Sequence, residues 1–170
     1  DNPNTTFIYI GLFGYLNSGT IKNLGVDATI YSDKSGTGNS AHADQFIVIG
    51  GLVGRNQRGT IDHCYATGAI KTFSTQHVFA GGLVGWNDKS AATIINSYVT
   101  VDIARERTST YNINVGGLVG VSISDESTNA SIINNYATGT VAGGDGVMVN
   151  VGGLVGRTYR TTIINSYATG

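Results

Sequence analysis

The sequence predicts an all-β fold, a parallel β-solenoid of about five coils, on three observations. A glycine-bounded tetrad recurs five times, a ten-residue block with period-two alternation follows it, and the copies are unequally spaced. The tetrads are Gly11-Leu12-Phe13-Gly14, Gly51-Leu52-Val53-Gly54, Gly82-Leu83-Val84-Gly85, Gly117-Leu118-Val119-Gly120 and Gly153-Leu154-Val155-Gly156. Fixed blocks at unequal intervals describe a regular frame carrying loops of different length. Repeats starting near residues 7, 46, 78, 113 and 147 make residues 1–170 a single repeat domain.

Ahead of each tetrad, Ile47 and Ile49, Val78 and Ala80, Ile113 and Val115, and Val149 and Val151 share one parity, as the inner face of a strand would. The doubled glycines Gly50-Gly51, Gly81-Gly82, Gly116-Gly117 and Gly152-Gly153 predict a corner too tight for Cβ atoms. The block behind the tetrad begins at Ile21, Ile61, Ile94, Ile132 and Ile163. Its third residue is Asn23, His63, Asn96, Asn134 or Asn165, a side chain type that tolerates left-handed backbone, so a second corner with stacked amides is expected there. From the fourth residue onward the even positions are small or apolar, as in Cys64, Ala66, Gly68 and Ile70, and point inward. The odd positions build outward rows: Tyr65, Tyr98, Tyr136 and Tyr167 beside Thr67, Thr100, Thr138 and Thr169. Two corners and two or three strands per repeat describe a coil, with turns stacked about 4.8 Å apart. A propeller needs four strands per blade, and its hairpin dipeptides are nearly missing, with Asp145-Gly146 the one instance.

Composition narrows the function. Ten Lys+Arg against eleven Asp+Glu, with 12% charged residues, give no basic footprint for nucleic acid. No apolar run approaches the roughly 20 residues of a membrane helix, so no membrane insertion is expected. Glycine, at 25 of 170 residues, is about twice its usual share of roughly 7%, yet 41% of residues are hydrophobic and a core can form. The single cysteine, Cys64, allows no internal disulfide. The pattern is still running at Gly170, so the chain is expected to be part of a longer protein, joined to it at both ends.

The Gly-Gly-Leu-Val-Gly runs followed by Ile163-Ile164-Asn165-Ser166-Tyr167-Ala168-Thr169-Gly170 and its earlier copies resemble the GLUG motif repeats. That resemblance implies a β-helix, expected to be right-handed, in a large bacterial surface or secreted protein. Such parents include adhesins of the filamentous-haemagglutinin kind and IgA-specific metallopeptidases. It implies a scaffold and transfers no catalytic residue, and it implies an extracellular or cell-surface location. The first copy departs from the pattern, with Ile10 for the leading glycine, Phe13 for Val and Leu24-Gly25 where Ser-Tyr stands later, which marks an opening rung.

Candidate chemistry is sparse. His63-Cys64 puts a base beside a nucleophile, but adjacent strand residues point to opposite faces, and both occupy structural positions of the repeat. Residues 33–44 match a calcium loop in part, with two carboxylates and Ala41 at the ninth position, and Gly143-Gly144-Asp145-Gly146 occurs once. No metal and no cofactor are assigned. A polysaccharide-degrading β-helix needs convergent carboxylates, whereas Asp62, Asp88, Asp102, Glu106, Asp125 and Glu126 fall at different block positions. An ice-binding solenoid wants a flat Thr face on uniform coils, and these loops vary. The expectation is a non-catalytic stalk or adhesive scaffold. Its contact surface is expected at the row Tyr65, Tyr98, Tyr136 and Tyr167, and at loops 31–44, 104–112 and 121–131. In loop 104–112, Arg105, Glu106 and Arg107 concentrate charge near Tyr111. Host proteins and glycans are the partner classes such a surface suits.

Overall fold

The computed structural model describes residues 5–33, 44–125 and 128–170. Each repeat makes one rung of four strands. The first rung is β1 (Thr5–Ile10), β2 (Phe13–Asn17), β3 (Thr20–Lys22) and β4 (Gly25–Ser32). The second is β5 (Asp44–Gly50), β6 (Val53–Gln57), β7 (Thr60–Asp62) and β8 (Tyr65–Thr72). The third is β9 (His77–Gly81), β10 (Val84–Asp88), β11 (Thr93–Ile95) and β12 (Tyr98–Arg105). The fourth is β13 (Asn112–Gly116), β14 (Val119–Ile123), β15 (Ala130–Ile133) and β16 (Tyr136–Thr138), with the short β17 (Val141–Ala142). The fifth is β18 (Met148–Gly152), β19 (Val155–Tyr159), β20 (Thr161–Ile164) and β21 (Tyr167–Thr169).

Equivalent strands of successive rungs pair in parallel and form four sheets, ordered β1-β5-β9-β13-β18, β2-β6-β10-β14-β19, β3-β7-β11-β15-β20 and β4-β8-β12-β16-β21. This is a parallel β-solenoid, and among the described residues there is no helix. Four strands per rung replace the two or three expected, because β3, β7 and β11 have only three residues each, too few to display an alternation.

The tetrad has a separate physical reason at each position. A Cβ on Gly51 would sit 2.4 Å from the Gly82 carbonyl oxygen of the next rung, and one on Gly117 would sit 2.0 Å from that of Gly153, so only glycine lets the rungs close up. Leu52, Leu83 and Leu118 fill the centre of the coil and are fully buried, each contributing about 1.5–3 kcal/mol. The closing glycines Gly54, Gly85, Gly120 and Gly156 press on the first sheet: a Cβ on Gly85 would sit 2.8 Å from the Ile49 nitrogen. Around the leucines, Ile47, Ile49, Ile61, Ile70, Ile94, Val99, Ile103, Ile113 and Ile132 complete one continuous core.

The asparagine corner adopts left-handed backbone in every rung, with φ of 54° at Asn23, 51° at His63, 52° at Asn96, 56° at Asn134 and 48° at Asn165. A further corner follows the second sheet, where Ser18, Arg58, Lys89, Ala91 and Arg160 also have positive φ. It has no recurring sequence signature, because the residue type at this corner changes from rung to rung.

Candidate functional site

The tyrosine row forms as an aromatic ladder on the outer face of the fourth sheet, because Tyr65, Tyr98, Tyr136 and Tyr167 hold one register position on successive strands. Ring centroids are 5.1, 5.0 and 5.4 Å apart along the row, with interplanar angles of 9, 6 and 11°. Tyr65 is 40% and Tyr167 57% exposed at the ends, while the two central rings are partly covered. The threonine row beside it is linked, with Thr67 Oγ1 donating to Asp27 Oδ1 (3.1 Å) and Thr138 Oγ1 to Thr100 Oγ1 (3.4 Å).

At the corner, Asn165 Nδ2 donates to Asn134 Oδ1 and Asn134 Nδ2 to Asn96 Oδ1, both at 3.2 Å. The second rung has His63 instead, so Asn96 Nδ2 turns to Asp62 Oδ1 (3.1 Å), which His63 Nδ1 also meets at 2.6 Å. The Asn96 hydrogen bond, with lesser help from His63, holds the Asp62 carboxyl below its ordinary range.

One residue further on, a ladder runs inside the coil. Cys64 N–H donates to Ser97 Oγ (3.0 Å), Ser97 N–H to Asn135 Oδ1 (2.9 Å) and Asn135 N–H to Ser166 Oγ (3.0 Å). Each side chain thereby satisfies an amide of the rung before it, where the corner leaves no backbone acceptor. Cys64 holds the same position in the second rung, and its thiol donates to the Asp62 carbonyl (3.3 Å) as the Ser97 hydroxyl donates to that of Ile95 (2.8 Å).

A match to the family model of the GLUG motif covers residues 47–71 and 149–170. The chain carries GLUG motifs. Each matched segment runs from the first sheet through the tetrad and both corners to the tyrosine strand, so one GLUG motif is one rung of the solenoid. No curated protein and no solved structure matches the chain.

The parts of the GLUG solenoid outside its repeating frame depart from expectation. Arg105, read as a surface charge, is 3% exposed. Its Nη1 donates to the carbonyls of Arg107 and Asp145 (2.9 Å to the latter) and its Nη2 to that of Ser74 (3.1 Å). The guanidinium therefore ties together three loops from successive rungs and is buried among them. Burial lowers its pKa below the ordinary arginine value. Arg107 and Glu106 are exposed, and Tyr111 packs its ring edge-on to His77 at 4.8 Å. Loop 121–131 is shorter than expected, since Val121–Ile123 and Ala130–Ser131 are strand. Most of loop 31–44 and the calcium-like match within it, together with Glu126, lie outside the described residues.

Four of the six acids considered for catalysis, Asp62, Asp88, Asp102 and Asp125, reach an adjacent rung. Asp88 Oδ2 accepts from Arg55 Nε (3.1 Å). Asp102 Oδ1 accepts from the Thr140 amide (2.8 Å) and Thr140 Oγ1 (2.9 Å), which lowers its pKa, the amide contributing most. Asp125 pairs with Lys89 across an exposed edge, and that hydrogen bond lowers its pKa. Among the described residues no three His, Cys, Asp or Glu side chains group as a metal site requires.

An outer cluster was not anticipated. Tyr15, Arg55 and Trp86 are register neighbours on the second sheet, and the Arg55 guanidinium carbon lies 4.3 Å from the Trp86 ring centroid and 5.6 Å from that of Tyr15. Tyr9 Oη accepts from Arg55 Nη1 at 3.0 Å, and Phe7 stacks on Phe46 at 5.0 Å. Burial would lower the Arg55 pKa, but Asp88, then Tyr9, outweigh it and raise it. The signal was available: Phe7 and Tyr9, Phe46, and His77 and Phe79 occupy the parity opposite the core residues of their strands.

Proposed function

We propose that the chain is a non-catalytic repeat module of a large bacterial surface or secreted protein, acting outside the cell as a stalk that holds binding loops at a distance. The observation that carries this reading is the direction of its polar contacts. Asp27, Asp62, Asp88, Asp102 and Asp125 each bond to a side chain or amide of a neighbouring rung. Groups engaged in stacking rungs are held away from the convergent geometry that two-carboxylate hydrolysis requires. The same contacts favour stiffness along the axis, which is what a spacer supplies.

Binding, in this reading, uses exposed loop residues such as Arg107 and the accessible edges of the tyrosine row, with a host protein or glycan as partner and no covalent chemistry. The test is a glycan and host-protein binding screen run in parallel with a polysaccharide depolymerisation assay. The expected result is a partner whose affinity falls on Arg107→Ala or Tyr136→Ala without any turnover. Release of reducing sugar by the purified chain would replace the module with an enzyme.

A further inference from the structure

Four of the nine tyrosines stand in one unbroken stack, and their surroundings set them apart from the other five. Tyr65, Tyr98, Tyr136 and Tyr167 are register partners on successive strands, so each ring is rooted directly opposite the next. Centroids 5.0 to 5.4 Å apart and planes within 11° of parallel keep neighbouring rings in stacking contact. Tyr65 and Tyr167 are exposed and the two central rings half-buried, so the row can be reached from solvent along its outer face.

The remaining tyrosines have other neighbours. Tyr9 and Tyr15 stack at 5.8 Å, but the Arg55 guanidinium lies over both rings and donates to the Tyr9 oxygen. Tyr159 faces Arg160, Tyr31 packs on Phe73 and Tyr111 on His77. A cation over a π face opposes removal of an electron from that ring, because the oxidised ring would be electron-poor beside a positive charge. Among like-on-like tyrosine contacts, the ladder is therefore the one suited to one-electron chemistry.

We infer that the tyrosine ladder is a site of oxidative modification, at which neighbouring rings of successive rungs are joined covalently as dityrosine. The oxidant is hydrogen peroxide acting through a haem peroxidase. It takes one electron and one proton from each of two adjacent phenols. The two phenoxyl radicals form a single carbon–carbon bond between ring positions ortho to oxygen, and the hydrogen on each joined carbon moves to its own oxygen, restoring both phenols. Peroxide is reduced to two waters, so two tyrosines and one peroxide give one dityrosine and two waters. Tyr98 and Tyr136 each have a ring on both sides and so have two available partners. The link staples one rung to the next in a chain whose single cysteine permits no internal disulfide. Access of peroxide in life rests on the extracellular reading above, whereas the coupling itself does not.

The experiment treats the purified chain, dilute enough to stay monomeric, with hydrogen peroxide and a haem peroxidase. Dityrosine fluorescence, intact mass and a peptide map are read on the monomer fraction. The expected product is a monomer lighter by two hydrogens, with the link mapped between ladder neighbours and the thermal midpoint raised by roughly 10 °C, as a cross-link constraining the unfolded chain would do. Tyr98→Phe plus Tyr136→Phe keeps the stacked rings but leaves Tyr65 and Tyr167 without a phenol beside them, so monomer dityrosine should vanish. A melt before oxidation confirms that this variant is folded. Tyr9→Phe should leave the yield unchanged. Undiminished monomer dityrosine in the double variant, a link mapped to Tyr9 and Tyr15, cross-links found only between molecules, or oxidation without dityrosine each overturns the proposal.

Discussion

The Cys64 amide donates to Ser97 Oγ at 3.0 Å across one rung, and the Cys64 thiol donates to the Asp62 carbonyl at 3.3 Å. A residue that reads as a candidate nucleophile is therefore a member of a structural ladder. Burial raises the pKa of its thiol, the opposite of the shift that activates a cysteine.

Cys64→Ser should keep a donor to the Asp62 carbonyl and change stability by less than about 1 kcal/mol, whereas Cys64→Val removes that donor and should cost about 1–3 kcal/mol. Urea unfolding of the three proteins separates the outcomes. Equal losses for Ser and Val would mean that the sulfur matters only for volume. In the native parent the thiol should react with a disulfide reagent far more slowly than after unfolding.

Tyr98 stacks on two rings and Tyr167 on one. Tyr98→Ala is expected to cost about 2–4 kcal/mol and Tyr167→Ala about 1 kcal/mol or less. A double-mutant cycle on Tyr98 and Tyr136 should give a coupling of about 0.5–1.5 kcal/mol, and zero coupling would reduce the ladder to four independent side chains.

Arg105→Ala should destabilise by about 2–3 kcal/mol, because the buried Ser74 carbonyl and the part-buried carbonyls of Arg107 and Asp145 lose a charged donor. Arg105→Lys should recover only part of this, since an ammonium cannot reproduce the planar fork. Hydrogen exchange would locate the damage: faster exchange at residues 73–76 and 107–111 is expected, and a uniform change across all rungs would place the role of Arg105 elsewhere.

The corner asparagines were legible in the sequence because one side chain type combines left-handed tolerance with an amide that bonds its own copy, and Asn96, Asn134 and Asn165 do both. The tyrosine row was legible for the same reason, a repeat that places like on like. Arg105 was not, because burial of a guanidinium depends on carbonyls contributed by Ser74, Arg107 and Asp145, which no local pattern connects. The inner contact of Asn56 Nδ2 with Asn87 Oδ1 at 2.8 Å was hidden differently: the tetrad ends two residues earlier, and the equivalent residue in other rungs is Leu16, Ser122 or Thr158.

Ala91 sits exposed at φ 64°. Left-handed backbone costs an L-residue about 1–2 kcal/mol, more than glycine loses through unfolded-chain entropy. Ala91→Gly should thus stabilise the protein by about 0.5–1 kcal/mol, seen as a higher urea midpoint at unchanged slope. A lower midpoint would contradict the assigned corner.

The Asp102 carboxyl is lowered in the folded state by Thr140. Its contribution is present above the unfolded aspartate value of about 3.9 and is lost as pH falls through the lower folded value. Urea midpoints measured from pH 6 down to pH 2.5 should fall less steeply for Asp102→Asn than for the parent. Identical profiles would show that the Thr140 contact does not sense protonation.

The central claim is that five rungs stack in register through all four sheets. Asp27 and Thr169 lie four rungs apart on the fourth sheet, as do Asn17 and Tyr159 on the second. In a Cys64→Ser background, spin labels at each pair should report the same backbone separation of about 19 Å, four rung spacings. Two clearly different distances, or either one beyond about 30 Å, would contradict the solenoid and every reading built on it.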